Sequence, residues 1–220
     1  MNQQHELGLE SGGGQPSGAA LVGPWPWGAE AAHLRRRGDD GIRLRAAEPG
    51  DAAGLTVLAN LPLYRAGTLR QPFHSEAETS RSLTEGRSGH IQIVAEIDGV
   101  IVGSAGLLRH SGRRLHAAQL GLGVHDAYQR RGIGRAMLGA LLDAGFNWLQ
   151  LRRIELTVFT DNDAAIALYQ AHGFSVEGLH RGYAFRNGAD ADVLAMALLR
   201  PDPVAIVPLG PATTAGEADR

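Results

Sequence analysis

Gln129-Arg130-Arg131-Gly132-Ile133-Gly134 is the stretch of this chain whose residue types and spacing point most directly to chemistry. It follows an apolar, strand-like run and opens a long amphipathic pattern. A glycine-bearing turn at a helix N-terminus presents backbone N–H groups that no helical carbonyl can take, and the helix dipole favours negative charge there. Arginine forks beside such a turn suit phosphate oxygens. The segment therefore predicts a seat for a phosphate-bearing cofactor. Two common nucleotide loops fail on residues. Gly132-Ile133-Gly134 continues as Arg135-Ala136-Met137, so the third glycine of a dinucleotide fingerprint is missing, and a Walker loop needs lysine, which the chain lacks. There is no cysteine, so thiolate nucleophiles, thiolate metal sites and disulfides are excluded. The nine histidines show no metal-ligand spacing.

The elements that must position this turn are legible from hydrophobic period and punctuation. Ile42 to Ala46 alternates like a strand, and Pro49-Gly50-Asp51 starts a helix running to about Asn60. Leu61 to His74, with two prolines, reads as a loop. Ser75 and Glu78 form a capping box for a second helix to about Glu85. Ile91 to Ile97 and Val100 to Leu108 flank Asp98-Gly99, a type I′ hairpin signal. A strand from Leu115 to Val124 carries Gly121 and Gly123, which predict a bulge or a close backbone approach. Ile133, Met137, Ala140, Leu141, Ala144 and Trp148 fall on one helical face, with Trp148 read as core. Ile154 to Phe159 is β-branched. Asn162 is an N-cap position for a short helix that ends at His172-Gly173. Phe174 to Phe185, Asn187-Gly188 and Asp192 to Leu199 read as a last hairpin. Repeated βαβ units are absent, so the class is α+β, with a mostly antiparallel sheet.

At 220 residues with 44% hydrophobic and 20% charged side chains, the chain suits one folded domain. The expected layout is an N-terminal extension over 1–39, a domain over 40–200 and a tail over 201–220. Within the extension, Pro24-Trp25-Pro26-Trp27 either docks on the domain, docks on a second copy to support a homodimer, or is solvated. A formal net charge of −2 disfavours nucleic acid as the main partner. No apolar run is long enough for a membrane span, and the first ten residues lack a signal-peptide layout, so the expected location is the cytoplasm.

Taken together, Leu122-Gly123-Val124, the turn Gln129 to Gly134, the helix and strand after it, Asn162, Tyr169 and Gly173-Phe174 resemble the GNAT superfamily of acetyl-CoA-dependent N-acetyltransferases. Gln129, Gly132 and Gly134 fill the family's Arg/Gln-x-x-Gly-x-Gly/Ala pattern. Gly67 to Pro72, Ile154 to Phe159 and Tyr183 to Gly188 are similar to bacterial L-amino-acid N-acetyltransferases. The resemblance implies a sheet of about seven strands flanked by about four helices. It implies that the amides of Arg130, Arg131, Gly132, Ile133, Gly134 and Arg135 hold the CoA pyrophosphate, with Arg131 and Arg135 adding charge. The pantetheine arm would lie along Leu122 to Val124, made approachable by the flanking glycines, with the Leu122 amide stabilising the carbonyl oxygen. Asn162 would hold the arm and Tyr169 would act as general acid; read without the family, these are an ordinary cap and a half-buried aromatic.

One departure bears on mechanism. Relatives often carry a carboxylate where this chain has Gln119, and a neutral amide is a poor base. Proton removal falls to His116, to His90 or to water, or the substrate arrives neutral. The expected reaction is acetyl transfer to the primary amine of a small molecule such as an L-amino acid, in a ternary complex. The alternatives are a protein N-terminus as acceptor, and a CoA-binding regulatory module without turnover.

Overall fold

The computed structural model describes residues 41–85 and 89–200. The expectations for the segments 1–39 and 201–220, Trp25 and Trp27 included, lie outside the described residues. Among those described, no helix is long and apolar enough to cross a membrane.

Seven strands form one sheet: β1 (Arg43–Ala46), β2 (His90–Ile97), β3 (Val100–Arg109), β4 (Ala117–Val124), β5 (Arg153–Phe159), β6 (Ser175–Arg186) and β7 (Ala189–Leu199), in the order β1-β2-β3-β4-β5-β7-β6. Every pairing is antiparallel except β4 with β5. That parallel pairing is confined to Ala117↔Arg153, Ala118↔Ile154 and Gln119↔Glu155, although β4 runs on to Val124 and β5 to Phe159. The two central strands therefore part company beyond Gln119, and the β5-facing edge of β4 loses its strand partner there. Hairpins β2–β3 and β6–β7 turn on Asp98-Gly99 and Asn187-Gly188, all four at positive φ, as a type I′ turn requires.

Helices α1 (Ala52–Asn60), α2 (Pro62–Ala66) and α3 (Glu76–Thr84) lie before β2, α4 (Ile133–Asp143) follows β4, and α5 (Asp163–Ala171) follows β5. Leu55 and Leu58 of α1 pack with Tyr64 of α2 and Val94 of β2. The larger cluster joins Ile133, Met137, Leu138, Leu141 and Leu142 of α4 to β3, β4, β5 and α5. Each such side chain removed from water contributes about 1.5–3 kcal/mol. A Cβ on Gly103 would lie 2.7 Å from Met137 Cε, so this glycine lets α4 settle closely on β3. At the opposite edge, Arg45 reaches Asp51 through both terminal nitrogens (2.7 and 2.8 Å) and Glu96 through Nε (2.9 Å). That fork ties β1 to β2 and to the turn before α1.

Two expectations need correction and one is resolved. Among the described residues the five helices fit the expected architecture, but the stretch read as a loop is partly helical, over Pro62–Ala66. Pro62 has the φ suited to a first helical turn, but the cap is tertiary: both carboxylate oxygens of Asp126 accept, from the amides of Leu63 and Tyr64, each at 2.8 Å. Of the bulge or close approach expected at the glycines of β4, the bulge is absent, since β4 pairs with β3 in unbroken register from Ala118 to Val124, and the close approach is that of the Tyr64 ring to Gly123. Trp148 is not core; it is 79% exposed. Ala144–Trp148 is a π-helical turn, with Leu149 N–H bonded to the Ala144 carbonyl at 3.0 Å. The wider turn breaks the 3.6-residue period and swings the indole off the buried face.

Candidate active site

The turn after β4 is built by local chemistry. His125 Nδ1 accepts from the Ala127 amide at 3.1 Å, closing a short 3-10 turn. Arg130 and Gly132 then adopt φ of 62° and 81°. Left-handed residues among right-handed ones turn successive N–H groups to one side, making an anion-binding concavity. Gly132 is the N-cap of α4 and has no side chain with which to satisfy the first-turn amides, so these are available to a ligand by the geometry of a helix start. A Cβ on Gly134 would meet Leu168 at 3.3 Å and Leu122 and Val124 at 3.7 Å, so its smallness seats α4 against both β4 and α5.

A cleft of about 820 Å³ runs from this turn through the gap between β4 and β5 to the face covered by α2 and the loop after it. The structure brings Leu122, Gly123, Val124, Gln129, Arg130, Gly132, Ile133, Gly134, Arg135, Asn162 and Tyr169 to its wall. Gln119 is there as well. Ile133 is 1% exposed, so it offers backbone rather than side chain. Arg131 is the exception: it lies outside the lining, with its guanidinium 4.9 Å from the centre of the Tyr128 ring, a cation–π contact.

The glycines flanking Leu122 have separate reasons. At Gly121 a Cβ would meet nothing within 4 Å, so that position opens on the cleft. At Gly123 it would lie 2.3 Å from Cε2 of Tyr64, so a buried ring requires this glycine. Tyr64 itself carried no sequence signal, because the helix that presents it is capped from Asp126. Burial pushes its phenol up from the ordinary value, against the lowering effects of the Arg70 charge and a hydrogen bond with Ser104.

Asn162 does what a cap does, accepting from the Ala165 amide at 3.2 Å. Its Nδ2 lies 3.3 Å from the point where a Cβ on Gly67 would sit, so the same amide also packs against the loop after α2. Tyr169 on α5 is buried beside Phe174, ring centres 5.6 Å apart, and burial raises its phenol to about 12. An O–H that stays protonated across the physiological range is a standing hydrogen-bond donor.

Two features escaped the sequence reading. Arg186, next to the Asn187-Gly188 turn, donates to the Ala66 carbonyl at 2.8 Å and to Asp161, and its guanidinium lies 4.2 Å from the centre of the Phe159 ring. It thereby straps the last hairpin to α2 and to the end of β5. Glu155, paired in register with Gln119, is the carboxylate nearest in the sheet to the position where a base was missed. It accepts from Arg153 Nε at 2.6 Å and from Arg114 Nη2 at 2.7 Å, and His110 Nε2 lies 2.9 Å away. Burial works to raise its pKa, but the hydrogen bonds from Arg153, Arg114 and His110 outweigh burial and hold it at about 2. A carboxylate so held does not take protons near neutrality, and it is not among the cleft residues.

The Acetyltransferase (GNAT) family model matches residues 60–174. The L-amino acid N-acetyltransferase AaaT of Escherichia coli K12 is 36% identical over 160 residues, 72% of this chain and 98% of that protein. The N-alpha-acetyltransferase RimI of Mycobacterium tuberculosis is 43% identical over 106 residues, 44% of this chain and 60% of the relative. Among solved structures, a GNAT-family acetyltransferase from Streptococcus pneumoniae superposes with a TM-score of 0.61 at 30% identity, covering 72% of this chain and 98% of its own. The chain belongs to the GNAT acetyltransferase family and is an acyltransferase that uses acetyl-CoA as donor.

Proposed function

We propose that this acetyltransferase moves an acetyl group from acetyl-CoA to the primary amine of a free L-amino acid, by direct attack in a ternary complex. The observation that carries the choice of acceptor is charge. Among the described residues that line the cleft there is no aspartate or glutamate, whereas Arg70 stands on the loop after α2, with Arg130 and Arg135 at the turn before α4. A polyamine would bring only positive charge to such a wall. An amino acid brings a carboxylate, and a guanidinium suits it. The near full-length similarity to a relative named for L-amino acids points the same way.

In this reading the amides around Gly132 and the Arg130 and Arg135 side chains hold the pyrophosphate. The β4 edge from Leu122 to Val124, unpartnered by β5, receives the pantetheine arm as an added strand. The Leu122 amide stabilises the carbonyl oxygen as it gains charge, Asn162 steadies the arm, and the Tyr169 hydroxyl donates to sulfur as the C–S bond lengthens. Arg131 acts indirectly, by bracing Tyr128. The acceptor enters from the opposite face, over Gly121 and beneath the loop after α2.

The test is an amine panel with purified protein and acetyl-CoA, read as thiol release. Free L-amino acids should be turned over and their carboxamides, which lack the carboxylate, should not; faster turnover of carboxamides or polyamines overturns the assignment. Leu63 and Leu69, exposed at the cleft, favour a polypeptide N-terminus as the second reading. Short peptides in the same panel separate the two.

A further inference from the structure

The loop after α2 brings to the cleft a cation that no anion of the fold neutralises. Elsewhere arginines sit on carboxylates: Arg45 on Asp51, Arg114 and Arg153 on Glu155, Arg186 on Asp161. Arg70 lines the cleft, and among the described residues no hydrogen bond or ion pair engages its guanidinium. No described aspartate or glutamate shares that lining. The phenols of Tyr64 and Tyr169 are both raised by burial and stay neutral. A guanidinium keeps its charge at every working pH, so the counter-ion has to come from a ligand.

The root of that arginine is fixed from several elements. Asp126 caps α2 through the Leu63 and Tyr64 amides. Arg186 donates to the Ala66 carbonyl at 2.8 Å, and the Gly67 amide donates to the Leu63 carbonyl at 2.9 Å. Thr68 Oγ1 donates to the Tyr64 carbonyl at 2.9 Å, and the Thr68 amide to the Arg65 carbonyl at 3.2 Å. Arg70 follows two residues on. A cation on an anchored root loses less freedom when it closes on a ligand.

The surroundings of Arg70 suit a carboxylate. Its charge acts on the Tyr64 phenol, so the guanidinium stands near that hydroxyl. Ser104 hydrogen-bonds the same phenol and pairs across the sheet with Gly123, over which the Tyr64 ring lies. Two hydroxyls bonded to each other retain one O–H to donate. Guanidinium and hydroxyls thus meet at the part of the cleft beside Gly121, where a Cβ would meet nothing within 4 Å. We propose that Arg70 is the specificity-determining residue for the acceptor, its fork receiving the carboxylate beside the Tyr64–Ser104 pair and holding the neighbouring amine toward the thioester over Gly121. In an α-amino acid only two bonds separate the amine nitrogen from the carboxylate carbon, so an anchored carboxylate leaves the nitrogen little freedom. The assignment rests on the amino-acid reading and adds to it the residue that makes the choice.

The experiment measures kcat/KM by thiol release for the L-amino acid that wild type turns over fastest, for its carboxamide and for the matching 1,2-diamine. The enzymes compared are wild type, Arg70→Gln and Arg70→Glu. Each substrate is compared with itself across the three, because the amine pKa differs between substrates. In Arg70→Gln the preference for amino acid over carboxamide should fall about 10–100-fold, as loss of a charge-assisted bond requires, mostly through the amino-acid KM. Arg70→Glu should lower amino-acid turnover further and raise diamine turnover about tenfold. The Kd for coenzyme A should stay within about twofold, and the melting temperature within about 2 °C because Arg70 is exposed. An Arg70→Gln enzyme that keeps the wild-type preference overturns the assignment and leaves the amino-acid reading standing. Equal losses on amino acid and carboxamide also overturn it, since they mark a disturbed loop. A wild type without the preference overturns the amino-acid reading and this assignment with it.

Discussion

Replacing Gly123 by alanine tests whether the site was built correctly from its backbone. The added Cβ would sit 2.3 Å from Cε2, 2.6 Å from Cζ and 3.0 Å from Cδ2 of Tyr64, where ordinary contact begins near 3.4 Å. The ring is 8% exposed and packed against Leu55, Leu58 and Val94, and α2 is pinned at Asp126, so it has little room to retreat. Overpacking of that kind costs about 1–3 kcal/mol. In a domain of this size each kcal/mol moves the melting temperature by about 2–4 °C, so Gly123→Ala should melt roughly 2–12 °C below wild type. Gly121→Ala, two residues away on the same strand, meets nothing within 4 Å. It should melt within about 2 °C of wild type yet lose turnover, because its methyl enters the cleft where the proposed mechanism brings acceptor and thioester together. Differential scanning calorimetry and thiol release on the two variants give opposite patterns. The reasoning is refuted if Gly123→Ala melts like wild type, or if Gly121→Ala keeps full turnover. A Tyr64→Ala/Gly123→Ala double mutant adds a check: its loss should be smaller than the sum of the single losses.

Tyr169→Phe should lower kcat about 100-fold or more while the Kd for coenzyme A by calorimetry changes less than threefold, since the ring stays packed on Phe174. Gly132→Ala would force a methyl-bearing residue to φ of 81°, at a cost of about 1–2 kcal/mol; coenzyme A should bind several-fold more weakly, with the acceptor KM unchanged. Glu155 has a folded pKa near 2, below its unfolded value, so its contribution is complete above about pH 4.5 and is lost as pH falls toward 2. That contribution is on the order of 3 kcal/mol. Glu155→Gln should flatten the acid limb of stability between those limits in denaturant titrations at stepped pH.

The order of elements was legible because each carries a local signal. Asp98-Gly99 and Asn187-Gly188 specify their turns through positive φ, Ser75 and Glu78 cap α3 as read, and the apolar stripe from Ile133 to Leu141 marks α4. The turn Gln129 to Arg135 was legible for the same reason: a glycine at a helix start is a short-range fact. What stayed hidden depends on residues far apart in sequence. The helix at Pro62 exists because Asp126 caps it, and Gly123 reads as a ligand approach until Tyr64 appears above it. Glu155 looks like an ordinary strand carboxylate until Arg114 and His110 close on it. Trp148 misled for a different reason, since a π-helical turn leaves no mark in a pattern searched at 3.6 residues.

The double acceptance by Asp126 has a consequence for how the two substrates communicate. This carboxylate belongs to the connection that leads into the turn proposed to hold the pyrophosphate, yet it caps α2, the helix over the proposed acceptor entrance. A tightening of that connection on one ligand would reach the roof over the other through these two bonds. By thermodynamic reciprocity, each ligand would then change the affinity for its companion by the same factor. An Asp126→Asn exchange, which leaves one oxygen to accept where there were two, is where that cooperativity should disappear while each ligand still binds alone.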